Sequence, residues 1–345
     1  MTETTTRRNV LRQPPTLEEV AKAAGVSRST ASRAINGGLK VSPAAQSAVD
    51  AAIAELGYIP NRAARSLVTR RTDSVALVVP EPDERVLTDP YFAGSLQGIT
   101  AALDPTNIQL ILLIARRDES SQRTANYLAN RHVDGAVVVS HHRDDGLNQV
   151  LIDCQLPCVF VGRPWKGADV LPYVDLDNTH AGRVATDYLV QAGCTRIATI
   201  AGPLDMAAGV DRLAGWRSSL HAAGLSDEAM ARGDFTTAGG AAAMERLLAA
   251  YPDIDGVFAA SDLMAAGAIG ALTRHGRSVP GDVKVVGFDD LGVAVSTAPE
   301  LTTIHNPVVE MSRAAADLLL SILSGAEEPT EPVIFHSELV VRESA

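Results

Sequence analysis

Residues 16–36, TLEEVAKAAGVSRSTASRAIN, constrain the fold of this chain more than any other stretch. Thr16 can cap a helix, and Glu19 three residues later completes a capping box. Leu17, Val20 and Ala21 then recur at helical spacing, with Ala23 and Ala24 adding a small-residue stretch. Gly25 ends that helix, because it adopts the left-handed conformation at no steric cost. Val26 fits the inside of the turn, and Ser27 caps a second helix over Arg28–Ile35. Ala31, Ala34 and Ile35 share one face of it, which leaves Arg28, Ser29, Ser32 and Arg33 available. Spacing alone fits either an ordinary helical hairpin or a helix-turn-helix, whose second helix enters the DNA major groove.

Charge separates these readings. Residues 1–72 carry eleven Lys/Arg and five Asp/Glu, a net of +6, in a chain whose total is −11; the remainder is therefore −17. A basic head on an acidic body is the electrostatic footprint of a DNA reader whose larger part stays off DNA. Residues 1–13 read as a flexible basic arm. The three cysteines (Cys154, Cys158 and Cys194) form neither a disulfide framework nor a zinc pattern, and read as reduced core thiols of a cytoplasmic protein. No metal or cofactor is expected. There is no apolar run long enough for a transmembrane helix and no secretory h-region at the N-terminus.

After a turn at Asn36-Gly37-Gly38, Ser42-Pro43 starts a third helix. Its Val49, Ala52, Ile53 and Leu56 close a three-helix head, and Gly57 ends it. Pro60 blocks continuation, and Asn61 can cap a short helix from Arg62 to about Val68, too short to be stable alone. From Thr72 the texture changes. Apolar strands over 75–79, 109–114, 135–140, 158–162, 197–201, 256–260 and 284–287 alternate with helices, including 95–103, 121–130, 179–192, 211–223, 239–249 and 262–274. Such alternation predicts parallel sheets with helices on both faces, and there are strands enough for two. Ligands in these folds bind beyond the carboxyl ends of strands.

These residues resemble the lactose- and galactose-repressor (LacI/GalR) family of bacterial transcriptional regulators. The resemblance is carried by TLEEVAKAAGVSRSTASRAIN, AELGYIPNRAARSL, DRLAGWRSSL, AASDLMAAGAIGAL, VVGFDDL and LTTIHNP, and spans about residues 16–341. It implies an all-α helix-turn-helix head (14–59), a hinge helix and linker (60–72), and a core (73–345) like that of periplasmic sugar-binding proteins. That α/β core has two doubly wound parallel-sheet subdomains, expected at 73–173 plus 306–331 and at 174–305 plus 332–345.

The resemblance also implies functional residues. Arg28, Ser29 and Arg33 match base-reading positions; arginine suits bidentate contact with guanine. Thr16, Ser27, Thr30, Ser32, Asn36 and Ser42 are short donors placed for phosphate oxygens. Asn61, Ala64 and Leu67 match the hinge, where a leucine from each of two chains wedges into the minor groove and kinks the duplex. Two hinges imply a homodimer on a near-palindromic double-stranded operator. For the effector, the implied contacts are Tyr91 or Phe92, Arg212, Asp289 and Ser261-Asp262, with Ser140, His141 and Arg163 closing neighbouring strands. Many relatives carry Asn at the position of Ser261. A planar arginine fork, acids and an aromatic make a hydroxyl-reading pocket, so a sugar effector is expected. A purine, nucleoside or phosphorylated metabolite acting as corepressor is the alternative. A sugar-modifying enzyme lacks support, since no phosphate loop, GxSxG elbow or metal cluster occurs. A transport binding protein fits neither the basic head nor the N-terminus. The expected function is thus an effector-controlled DNA-binding repressor, not an enzyme, in the bacterial cytoplasm at the nucleoid.

Overall fold

The computed structural model describes residues 15–35, 41–59, 71–115, 119–327, 329 and 331–345, with side chains undescribed at 119–121. The expected arm, Asn36, and the hinge with Asn61, Ala64 and Leu67 lie outside these residues. The chain divides into two compact units, Met1–Thr72 and Asp73–Ala345.

In the first unit the described helices are α1 (Leu17–Ala23), α2 (Arg28–Ile35) and α3 (Pro43–Leu56). Thr16 caps α1 in a complete capping box with Glu19. Gly25 takes φ +66°, the left-handed conformation that turns the chain from α1 into α2. Ser42 caps α3 through the Ala45 amide, Pro43 occupies its first turn, and Gly57 closes it at φ +62°. Val20, Ala21, Ala31, Ala34, Val49 and Ala52 form the buried core of the head. Such small side chains let three short helices approach closely, and burial of this shared core supplies the stability that isolated helices of seven to fourteen residues lack.

The second unit alternates strand and helix. It runs β1 (Ser74–Val79), α4 (Asp83–Thr88), α5 (Pro90–Leu103), β2 (Gln109–Ile114), α6 (Glu119–Ala129), β3 (Gly135–Val139), α7 (Leu147–Cys154), β4 (Cys158–Val161) and β5 (Tyr173–Leu176). It continues through α8 (Asn178–Gln191), β6 (Ile197–Ala201), α9 (Ala207–Ala223), β7 (Met230–Arg232), α10 (Thr237–Ala250), β8 (Gly256–Ala259), α11 (Asp262–Arg274) and β9 (Lys284–Asp289). β10 (Thr302–His305), α12 (Val308–Leu323), β11 (Val333–Phe335) and β12 (Leu339–Val340) complete it. The strands form two six-stranded sheets, ordered β11-β5-β4-β3-β1-β2 and β12-β10-β9-β8-β6-β7. Every pairing is parallel except β10 with β12. β1, β3, β4, β6 and β8 are buried along their whole length, as strands covered by helices on both faces must be.

β5 and β11 both belong to the first sheet. The chain therefore leaves the first subdomain after Leu176 and again after Phe335, a few residues beyond the expected divisions at 173 and 331. Both strands are short, β5 carries a buried Asp175 and β11 is largely exposed, so neither shows the apolar run that marks the central strands. Among the described residues no helix is long and apolar enough to cross a membrane.

Candidate functional site

Two surfaces bear on function, one in each unit. On the head, the start of α2 presents a hydroxyl cluster. Ser27 Oγ accepts from the Thr30 amide at 3.1 Å and lies 2.9 Å from Ser29 Oγ and 2.8 Å from Thr30 Oγ1. Ser27, Arg28, Ser29 and Arg33 are exposed and Thr30 and Ser32 half-buried, while Ala31 and Ala34 face the core. Arg28 Nε pairs with Glu18 of α1 at 2.6 Å, and Arg33 Nε donates to the Ser29 carbonyl at 3.2 Å. Thr16 and Ser42 are exposed helix caps. The expected base readers Arg28, Ser29 and Arg33 are thus solvent-facing on α2.

In the second unit a cavity of about 720 Å³, its open mouth included, lies where the carboxyl ends of the two sheets meet. Residues after β1, β3, β4 and β5 form one wall, and residues after β6, β7, β8 and β9 the other. Arg212, on α9, is its most constrained member. Its Nε donates to Asn178 Oδ1 at 2.9 Å and its Nη1 to the Ala260 carbonyl at 2.7 Å. Its guanidinium lies 3.5 Å from the ring centre of Phe288, and Asp289 Oδ1 is 3.8 Å from Nη1. Burial lowers the arginine pKa, opposed by the Asp289 charge. Asn178 is itself held, donating to Asp175 Oδ1 at 3.1 Å. Asp175 also accepts from the amides of Leu176 and Arg163. One continuous network of charged and amide groups therefore crosses from the first wall to the second.

Burial dominates the acids of this cavity. It pushes Asp289 up to about 6, against the opposing charge of Arg212. It pushes Asp175 likewise to about 6, against the amides it accepts from, and it raises Asp89 and Tyr91. Three residues lining the cavity occupy the left-handed region despite having side chains: Ser140 at φ 53°, Phe235 at φ 65° and Asp289 at φ 120°. Such conformations cost about 1–3 kcal/mol each and persist where surrounding structure enforces them, often at ligand sites. Phe235 is further aimed by Gly202, where an added Cβ would come 2.4 Å from the ring. Arg85 and Arg212 lie 5.2 and 5.9 Å from that ring's centre. Three polar atoms of residues lining the cavity are buried without a hydrogen-bond partner: Asn306 Oδ1, His141 Nδ1 and Arg85 Nε. His141 Nε2 lies 3.0 Å from the Arg163 carbonyl, an acceptor, and burial favours the neutral ring. That arrangement leaves Nδ1 an open acceptor.

Of the expected effector residues, Tyr91, Ser140, His141, Arg212, Ser261 and Asp289 line the cavity. Phe92, Arg163 and Asp262 do not. Phe92 is a buried core residue packed edge-on to Tyr91 at 5.4 Å. The Arg163 guanidinium is taken by Asp211, at 2.6 and 2.8 Å. Asp262 is buried behind the wall, accepting from Thr303 Oγ1 at 2.6 Å and the Asp290 amide at 2.8 Å. Ser261 Oγ caps α11 by accepting from the Met264 amide. Sequence reasoning missed Arg85, Asp89, Asp175, Asn178, Phe235 and Asn306. Asn178 and Phe235 follow strands of only three or four residues, too short to show a period. Asn306 stands in LTTIHNP, next to a strand end, which was the available signal. Among the described residues no group of His, Cys, Asp or Glu could hold a metal ion.

Comparison with known proteins joins the two surfaces. Residues 16–61 match the model for bacterial regulatory proteins of the lacI family, and residues 186–345 that for a periplasmic binding protein-like domain. The chain is 49% identical to the HTH-type transcriptional regulator CelR of Thermobifida fusca, over 96% of this chain and 99% of that one. It is 32% identical to the HTH-type transcriptional regulator GalR of Escherichia coli K12, over 95% of each. Among solved structures it is similar to a CelR–cellobiose complex, with 46% identity, TM-score 0.77, and 96% and 100% of the two chains covered. It is also similar to the lac repressor dimer bound to operator and an anti-inducer, with 27% identity, TM-score 0.83, and 96% and 99% covered. With a DNA-reading head and a periplasmic-binding-like core matched in order along nearly its whole length, the chain belongs to the lacI family, the DNA-binding, effector-controlled transcriptional regulators and repressors of bacteria, and is not an enzyme.

Proposed function

We propose that the effector is a sugar bound in the cavity around Arg212, and that it is a β-linked glucose disaccharide such as cellobiose. The observation that carries this reading is the pairing of a polar pole with aromatic faces. Arg212, Asp289 and Asn306 converge at one place, with Tyr91 and Phe235 beside them. Sugars present hydroxyls at their edges and C–H groups on their ring faces, so they need both donor–acceptor pairs and flat apolar surfaces. Cellobiose in the CelR complex, on a chain 46% identical, supports the same choice. The nearest rival, a purine, would leave Asp289 and the Asn306 Oδ1 acceptor facing a ligand with few donors.

Operator recognition is proposed to run through Arg28, Ser29 and Arg33 as base readers. Thr16, Ser27, Thr30, Ser32, Asn36 and Ser42 contact phosphates. Asn61, Ala64 and Leu67 form the minor-groove hinge. The acting species is a homodimer on a near-palindromic operator, held in the cytoplasm at the nucleoid. A sugar shifts operator affinity only by its differential affinity for the two core arrangements. Titration calorimetry with cellobiose, galactose, gluconate and hypoxanthine, each repeated as a gel shift on operator DNA, tests the effector. Cellobiose should bind most tightly and change operator affinity. Binding of hypoxanthine alone would overturn the sugar reading.

A further inference from the structure

The two walls of the cavity belong to different subdomains, and they are joined by contacts that lie outside the cavity lining. One set centres on His142, a buried residue just after β3 in the first subdomain. Its Nε2 lies 3.0 Å from Glu81 Oε1, in the loop after β1. Its Nδ1 lies 3.1 Å from Asp205 Oδ2, in the loop after β6 of the second subdomain. The backbone repeats the link, because the Arg143 amide donates to the Asp205 carbonyl at 2.7 Å. A second set joins Arg163, after β4, to Asp211 on α9 at 2.6 Å.

The ring thus stands between two carboxyl groups, Glu81 at Nε2 and Asp205 at Nδ1. Burial raises the Glu81 carboxyl, but the hydrogen bond and charge of His142, the charge of Arg85 and the Ser140 hydroxyl together hold it below its ordinary value. Ser140 Oγ donates to the same Glu81 oxygen at 2.7 Å, and Asp145 Oδ2 accepts from the His142 amide at 2.9 Å. The first subdomain thus holds the ring at Nε2 and the backbone at its amide, with Nδ1 turned toward Asp205. The His142 and Glu81 side chains are only 6% and 5% exposed, so the bridge is shielded from the solvent screening that weakens surface pairs.

We propose that His142 is a positioning residue: with Asp205 it ties the two subdomains in the closed arrangement and so sets effector affinity without touching the effector. Arg163 and Asp211 act as an outer strut to the same end. A ligand that touches both walls binds only the closed arrangement, and its apparent affinity scales with the fraction of molecules closed. The ligand part of this inference rests on the cavity reading above; the tie itself does not.

The test uses the full-length protein with His142→Gln, Asp205→Asn and the double variant. Cellobiose titration should show each single variant weakened by roughly tenfold. The double variant should be no weaker than the worse single, because both remove one tie. Small-angle X-ray scattering of the free proteins should show the variants more expanded than the wild type, with unchanged circular dichroism. Wild-type affinity in both singles, or additive losses in the double variant, would overturn the proposal. If cellobiose fails to bind the wild type, the sugar reading falls and scattering alone decides the tie: equal dimensions for wild type and variants overturn it. Asp205 sits in a loop with its side chain 25% exposed, so Asp205→Asn carries the test if His142→Gln does not fold.

Discussion

Arg212 shows how much one residue can be asked to do. It donates to an amide oxygen and a carbonyl, faces a carboxylate and stacks on Phe288, all while 6% exposed. Only a planar fork with several donors fits those partners together. Arg212→Lys keeps the charge but loses the Nε bond to Asn178 and the stacking, and should weaken cellobiose at least about tenfold in calorimetry, with operator binding retained. Undiminished sugar affinity would remove Arg212 from the site. Asp289 adds a pH signature. Burial raises it to about 6, so the carboxylate proposed to accept sugar hydroxyls is present above that pH and protonated below it. Cellobiose affinity should hold steady above about pH 7 and fall as pH drops through about 6, and Asp289→Asn should flatten most of that fall. A wild-type titration series with no change between pH 5 and 7 would exclude the role. Asp175, also pushed up to about 6, titrates in the same range.

At the scale of elements, the strand ends matter more than the strands. α11 begins at Asp262, whose carboxylate fastens the backbone after β9 through the Asp290 amide and reaches β10 through Thr303. This positions Asp289 on the cavity wall although Asp262 never reaches the cavity. Burial, then the charge of Asp289, pushes Asp262 up to about 8. A raised carboxyl stabilises the fold fully below its unfolded value of about 3.9, and that contribution is lost as pH rises through about 8. Asp262→Asn does not titrate, so its melting temperature relative to wild type should improve from about pH 5 and level off above about pH 8. A constant difference across that range, measured by scanning calorimetry, would contradict the assignment. The head's elements follow simpler rules, since its helices have their caps in adjacent sequence.

For the whole molecule, charge is divided between the units: a net of +6 before residue 73 and −17 after it. DNA binding through the head releases counterions and should weaken steeply with salt. Sugar binding in a buried cavity should not. Titrating both from about 0.05 to about 0.2 M salt should therefore give a steep negative slope for operator and a nearly flat one for cellobiose. Equal slopes would mean that the two sites are not electrostatically separate as described. The same division explains why an acidic protein can carry a DNA-reading head: its positive charge is concentrated before residue 73.

Much of this protein was written in local order. Capping residues, the Gly25 turn and the alternation of apolar strands with helices act over a few residues, so the three-helix head and the parallel α/β core could be read directly from the sequence. Arg212, Asp289 and Tyr91 were implied by the family resemblance, and Ser140, His141 and Ser261 stood beside strand ends. Other features depended on where separate strand ends meet. Phe92 and Tyr91 are neighbours in sequence, yet one joins the core and the other the cavity, because successive helical side chains point about 100° apart. Arg163 looked like a ligand contact until Asp211, 48 residues away, claimed its guanidinium. Phe235 and Asn306 belong to the cavity only because two sheets built from interleaved segments present their carboxyl ends to each other. Composition and periodicity are short-range and fixed the elements. Which side chains share a cavity, and which acid meets which base across it, is long-range, and only the tertiary structure decided it.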